Sequence, residues 1–363
     1  MTNPLFEPFN LAGLELPNRI VMAPMTRSFA KEGMPNENIA DYYARRAKND
    51  VGLILTEGTH PERKGAGNDP NTPFFYGDAL DGWKTVVKKV KAEGGFIAPQ
   101  LWNVGYMRKP GTGHFPDAPS DSPSGVTHTG AKVADEPSET DIWDMVESYA
   151  RSAGYAKDLG FDAVEIHGAH GYLIDQFFWD VMNRRDDRYG GGLPARARFA
   201  AEVIKECRKA MGPDMPLILR ISQWKQQDFT QKLAHTPDEL EAFLKVLVDA
   251  GVDCLHCSQR RFWEPEFDGS DLNFAGWAKK LTGLPTITVG SVGLSGEFVA
   301  AFGGESSKPA SLERLVEMLD RGDFDLVAVG RALLQDPEWV TKIKNGREDE
   351  LLDFTKEALA TLY

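Results

Sequence analysis

Short, continuously apolar runs recur along this chain at a regular spacing, and that rhythm limits its possible folds more than any other feature. The runs are Ile20–Ala23, Val51–Thr56, Phe96–Leu101, Ala163–His167, Leu217–Ile221, Val252–His256, Thr286–Val289 and Leu326–Val329. A strand that is apolar throughout, rather than at alternate positions, is buried on both faces, as in a parallel sheet covered by helices. The segments between the runs carry helical spacing: Ile142, Met145, Val146, Tyr149, Ala153 and Ala156 fall on one face. Ser138-Glu-Thr-Asp141 marks the start of that helix as a capping box, in which a hydroxyl and a carboxylate satisfy first-turn N–H groups. Eight strands separated by helices at roughly 40-residue intervals predict a closed (β/α)8 TIM barrel, because an open doubly wound sheet usually stops at fewer strands. Such a barrel with loop insertions accommodates 363 residues as a single domain, 1–363. Leu5 to Leu16, with Gly13 between two short apolar runs, predicts an N-terminal β-hairpin capping the barrel floor. The longest insertion, Trp102 to about Glu139, is rich in Gly, Pro and Ser and makes a long loop after strand three. It belongs to the catalytic face if the barrel is right, either with a part in function or only excluding water.

Charge narrows the partner. With 41 Lys+Arg against 54 Asp+Glu the net charge is −13, so the chain repels polyphosphate, and neither nucleic acid nor an anionic membrane is expected to bind. A small molecule is the expected partner, and assembly into a homo-oligomer stays open. The apolar share of 42% supplies a large core, and three cysteines, an odd number, point to a reducing compartment rather than a disulfide framework. No apolar run approaches membrane-spanning length, and Met1 to Asn18 lacks a basic, hydrophobic leader, so a cytoplasmic location is expected.

Active sites of such barrels sit where strands give way to loops at the C-terminal rim. The fourth run ends in Glu165-Ile-His167-Gly-Ala-His170-Gly-Tyr172, which sets three proton-handling side chains at one strand end, with Gly168 and Gly171 suited to a sharp turn. The two histidines could instead share a metal or serve structure alone; no third ligand stands out, and no metal is expected. The seventh run ends in Val289-Gly290-Ser291 and the eighth in Val329-Gly330-Arg331, followed by helix-forming Ala332-Leu-Leu334. Glycines and an arginine after the last two strands suit a phosphate site, although the glycines could serve turns alone. Arg220 places a guanidinium inside the barrel, where it needs an anionic partner: an electron-rich ligand ring, or an ion pair with Glu57 or Glu165. Gln100 offers an amide that both donates and accepts, and Thr26 a hydroxyl. Cys254-Leu-His-Cys257 lies inside the sixth run, away from any helix N-terminus that would activate a thiol, and is read as packing. Phe262-Trp263 either walls a substrate pocket or packs its own loop.

Taken together the chain resembles the Old Yellow Enzyme family of flavin-dependent ene-reductases over nearly its whole length. The resemblance rests on Asn18-Arg-Ile-Val-Met-Ala-Pro-Met-Thr26, Gln100-Leu-Trp102, Ala163 through Phe177, Asn183-Arg-Arg-Asp-Asp-Arg-Tyr-Gly-Gly191 and Val329 through Pro337. It implies a single FMN-binding TIM-barrel domain holding non-covalent FMN, with NADPH or NADH as hydride donor. Pro24, Thr26 and Gly58 would then line the flavin, Gln100 would hold its pyrimidine edge, and Arg220 its N1/O2 side. Gly290, Ser291, Gly330 and Arg331 would bind the phosphate. By the same matching His167 and His170 bind the oxygen of an enone or nitro substrate, Tyr172 donates the proton, and Trp102 lines the pocket. The implied activity is reduction of the C=C bond of α,β-unsaturated carbonyl or nitro compounds by ping-pong hydride transfer through flavin N5. Two stretches depart from the family's usual pattern: Pro194-Ala195-Arg196 after Gly191, and Gln223 to Phe229 where a Pro and a glycine-rich loop are common. The rival readings are a metal-dependent barrel hydrolase and a flavin-carrying barrel without turnover.

Overall fold

The computed structural model describes residues 3–296 and 306–363. After a 3-10 turn at Pro4–Phe6 come the hairpin strands β1 (Phe9–Leu11) and β2 (Leu14–Leu16), so Leu5 falls outside the hairpin that the sequence suggested. The two-residue turn has positive φ at both positions, Ala12 (48°) and Gly13 (95°), the hand that matches strand twist and that glycine adopts without strain. The barrel strands follow: β3 (Ile20–Met22), β4 (Leu53–Thr59), β5 (Ile97–Leu101), β6 (Val164–His167), β7 (Leu217–Ser222), β8 (Cys254–Ser258), β9 (Thr286–Val289) and β10 (Leu326–Val329). They pair in parallel in the order β10-β3-β4-β5-β6-β7-β8-β9 and close into a barrel, as the eight apolar runs predict. Strand ends moved by up to three residues: β4 runs on to Thr59 through a register shift between Leu55 and Gly58, and β8 begins and ends two residues late.

Alternation along the strands sorts the core into two bodies. Inside the barrel, Val21, Leu53, Leu55, Ala98, Ile218, Cys254, Ile287 and Leu326 pack with Leu11 and Leu16 of the hairpin, which therefore closes the floor. Outside, residues such as Ile54, Ile166, Leu219, Leu255 and Cys257 face the helices. The two cysteines of the C-x-x-C stretch thus point to opposite sides of one strand; both are buried and free, and burial pushes both thiols up. Packing is their role here. The helix predicted around Ile142 spans Glu139–Leu159, with the Ser138–Asp141 capping box formed and Gly160 ending it in the left-handed region. No helix among the described residues is long and apolar enough to cross a membrane.

Candidate active site

Along β6 and β7 the inward positions above the apolar floor change character. Glu165 and His167 on β6, Arg220 on β7, His256 and Ser258 on β8 and Gln100 on β5 all lie buried. A carboxylate in such a place needs partners, and Glu165 has two: Gln100 Nε2 donates to it at 2.7 Å, and His256 Nδ1 lies 2.6 Å away. Neither Glu57 nor Glu165 forms a salt bridge with Arg220. Glu57 accepts from the backbone N–H groups of Arg27 and Ser28, and burial pushes its carboxyl up to about 7. Arg220 is left with one long contact from its NH2 group to Ser258 Oγ, 3.5 Å, and a buried Nε with no partner. An under-satisfied guanidinium at the mouth of an apolar barrel fits an electron-rich ligand.

Above this layer opens a cavity of ≈ 520 Å³. Pro24, Thr26, Gln100, Trp102, His167, His170, Tyr172, Arg220, Gly290, Ser291, Gly330 and Arg331 all line it, although the chain between the first and the last of them runs through most of the barrel. Gly58 does not. A side chain there would come within 2.8 Å of Trp102 Cδ2, so the glycine leaves room for the indole that lines the cavity. Gly290 is bare for a similar reason: a Cβ would stand 2.6 Å from the Gln259 carbonyl oxygen. Ser291, with φ 52°, turns its hydroxyl onto the Arg260 carbonyl at 3.0 Å. Arg331 donates to Gly296 O at 2.7 Å and lies over the Phe354 ring.

The two imidazoles are held neutral and aimed. Burial first, then the nearby Arg220 charge, keeps His167 and His170 well below the ordinary histidine value. His167 Nδ1 accepts from the Ala169 N–H at 3.3 Å, so its proton sits on Nε2, facing the cavity. His170 Nε2 lies 2.8 Å from Ser258 Oγ. That oxygen also accepts from the Arg220 NH2 group at 3.5 Å, so it ties the His170 ring to the guanidinium. His167 therefore keeps an N–H for a ligand. His170 reaches this position through a left-handed backbone, φ 64°, an uncommon conformation for a residue with a side chain. Tyr172 follows at the N-terminus of helix Leu173–Phe178, with Trp102 and His167 each 5.0 Å from its ring centre, and burial pushes its hydroxyl up. Among the described residues no group of three or more metal-ligating side chains forms.

Several lining residues escaped the sequence reading. Trp224, Gln226 and Phe229 come from the departing loop after β7: Trp224 stacks on His170 at 4.5 Å and on Phe229 at 5.5 Å. Lys225 anchors that loop, its ammonium 2.5 Å from Asp175 with both groups fully buried. Phe354 and Leu359 arrive from the C-terminal stretch, which Arg27 fastens by donating to the carbonyls of Ala358, Leu359 and Thr361. Only the odd composition of Gln223–Phe229 hinted at any of this. Phe262 and Trp263, in contrast, do not line the cavity: Phe262 packs into the core and Trp263 stands edge-on to it. In the other departing stretch, Arg196 holds the carbonyls of Phe178 and Gly191. Of the long loop after β5 only Trp102 lines the cavity, while Tyr106 and His128 bond to each other.

The family described as NADH:flavin oxidoreductase / NADH oxidase matches residues 4–350. The chain is 33% identical over 359 residues to an NADH oxidase of Thermoanaerobacter brockii, aligning 96% of its own length but spanning only 52% of that protein. Morphinone reductase in complex with tetrahydroNAD superposes with a TM-score of 0.81 at 28% identity, covering 98% of this chain and 93% of that one. An Old Yellow Enzyme homologue from Zymomonas mobilis superposes at 0.80 with 26% identity, covering 98% and 96%. A match running from the hairpin to the last helices, on a closed barrel of the same shape, makes this chain an Old Yellow Enzyme homologue within the NADH:flavin oxidoreductase / NADH oxidase family.

Proposed function

We propose that this oxidoreductase uses NAD(P)H to reduce the C=C bond of α,β-unsaturated carbonyl or nitro compounds in a ping-pong cycle, within one FMN-binding barrel domain. One observation carries the reading: a single cavity is lined both by His167, His170 and Tyr172, at and after the end of β6, and by Gly290, Ser291, Gly330 and Arg331, after β9 and β10. FMN, the cofactor of this family, supplies when bound a carrier that accepts hydride from the nicotinamide and gives it to the substrate β-carbon. Pro24 and Thr26 would flank the ring, and the four residues after β9 and β10 would hold the phosphate. With one N–H committed to Glu165, the Gln100 amide keeps its carbonyl oxygen and a second N–H for the ring edge. Arg220 would stabilise negative charge at the opposite edge.

His167 and His170, both neutral, donate to the carbonyl or nitro oxygen, and those bonds strengthen as charge builds there, worth on the order of 3 kcal/mol per donor. Tyr172 keeps its proton at neutral pH and delivers it to the α-carbon. Trp102 packs beside the Tyr172 ring and walls the substrate side. Three buried free thiols agree with a cytoplasmic setting.

The experiment is anaerobic stopped-flow with the two half-reactions separated, NADPH or NADH in one and cyclohexenone in the other. Tyr172→Phe should slow only the second, and equal loss in both would refute the donor role. A purified protein without a flavin spectrum and unable to take up FMN would remove the reading altogether.

A further inference from the structure

The Tyr172 hydroxyl has one protein partner among the described residues, and it comes from the loop that departs from the family's pattern. Gln226 Nε2 donates to Tyr172 Oη at 2.8 Å. We propose that Gln226 is a positioning residue for proton delivery: it fixes the phenol oxygen as an acceptor, turns the phenol's own hydrogen into the cavity, and holds the phenolate left behind. The inference rests on reading Tyr172 as the proton donor.

The geometry leaves little freedom. Trp102 and His167 pack edge-on against the Tyr172 ring at 80°. Gln226 is held in turn. Its backbone N–H donates to the His170 carbonyl at 3.3 Å, and its neighbour Lys225 is sunk against Asp175. A phenol oxygen carries one hydrogen; when the oxygen accepts from the amide, that hydrogen must lie on another side. Tyr172, His167 and His170 line the same cavity, so that is where the hydrogen is available. In the transfer the Tyr172 O–H bond breaks as a C–H bond forms at the substrate α-carbon, whose electron pair takes the proton. The phenolate regains a proton from water, which reaches the exposed Gln226 side of the site.

The groups facing Tyr172 are Trp102 from the loop after β5, His167 from β6, Arg220 from β7 and Gln226 from the loop after β7. Arg220 and Gln226 both favour the phenolate, and burial opposes it. Gln226→Leu removes the donor at similar size without touching a buried position. The variant is compared with the parent and in the Tyr172→Phe background, in the oxidative half-reaction with cyclohexenone and the reductive one with NADPH, across pH. In the Tyr172 protein Gln226→Leu should slow the oxidative half-reaction about 10- to 100-fold, the range of a hydrogen bond to a charged group. The alkaline limb should move to higher pH, FMN content and the reductive rate should hold, and the Tyr172→Phe background should show no further slowing. Gln226→Asn, which keeps a donor, should recover part of the rate. An unchanged oxidative rate, or equal slowing with and without the phenol, would overturn the role of Gln226 while leaving Tyr172 as donor. A parental rate in Tyr172→Phe alone would instead remove the donor reading itself.

Discussion

Lys225→Met tests whether the loop after β7 is held by a buried ion pair. The side-chain exposures of Lys225 and Asp175 are 1% and 0%, and the Asp175 carboxylate has one other partner, the Gly171 N–H at 2.7 Å. Removing the ammonium strands a buried charge, at a cost of about 3–5 kcal/mol. An unfolding entropy of roughly 2.1 cal/mol/K per residue over 363 residues is about 0.76 kcal/mol/K, so Tm should fall by roughly 4–7 °C. Burial already raises the Asp175 carboxyl and Lys225 pulls it back, so without the lysine it rises further. The folded variant then binds a proton that the unfolded chain has released, and its stability grows as pH is lowered. The Tm deficit measured by calorimetry should therefore shrink between about pH 8 and about pH 5. Adding Asp175→Asn should return Tm to within about 2 °C of the parent, because a neutral pair of similar volume leaves no charge unpaired. A Lys225→Met protein that melts with the parent, or a double variant no better than the single one, would refute the ion pair as the anchor.

Gly58→Ala should lower Tm by overpacking against the Trp102 indole, at a cost of about 1–3 kcal/mol, and shift tryptophan emission; an unperturbed spectrum and Tm would mean that the indole has room to move. Because His167 and His170 are held neutral well below the ordinary value near 6.5, affinity for a phenol should stay flat between about pH 6 and about pH 8, and a titration in that interval would contradict the assignment. The same depressed values mean that the unfolded chain takes up protons the fold refuses, so stability falls as pH drops below the unfolded histidine value.

The barrel was legible in the sequence because a strand buried on both faces writes its burial into consecutive residues, and eight such runs leave one closed arrangement. The rim residues His167, His170, Tyr172, Gln100, Arg220, Gly290 and Arg331 were legible too, since each sits at or near the end of a run. The register shift in β4, which pairs Gly58 with Gln100, was not legible, because register belongs to strand pairing and not to local sequence. The same limit hid the Gln100–Glu165–His256 chain, whose members are far apart in sequence and meet only because barrel closure stacks β5, β6 and β8 around one axis. The Lys225 anchor, the Gln226 contact to Tyr172 and the Arg27 clasp on residues 358–361 likewise exist only as side-chain geometry between remote segments. Periodicity fixes which face of an element is buried; which polar group meets which across a closed barrel is decided when the elements pack.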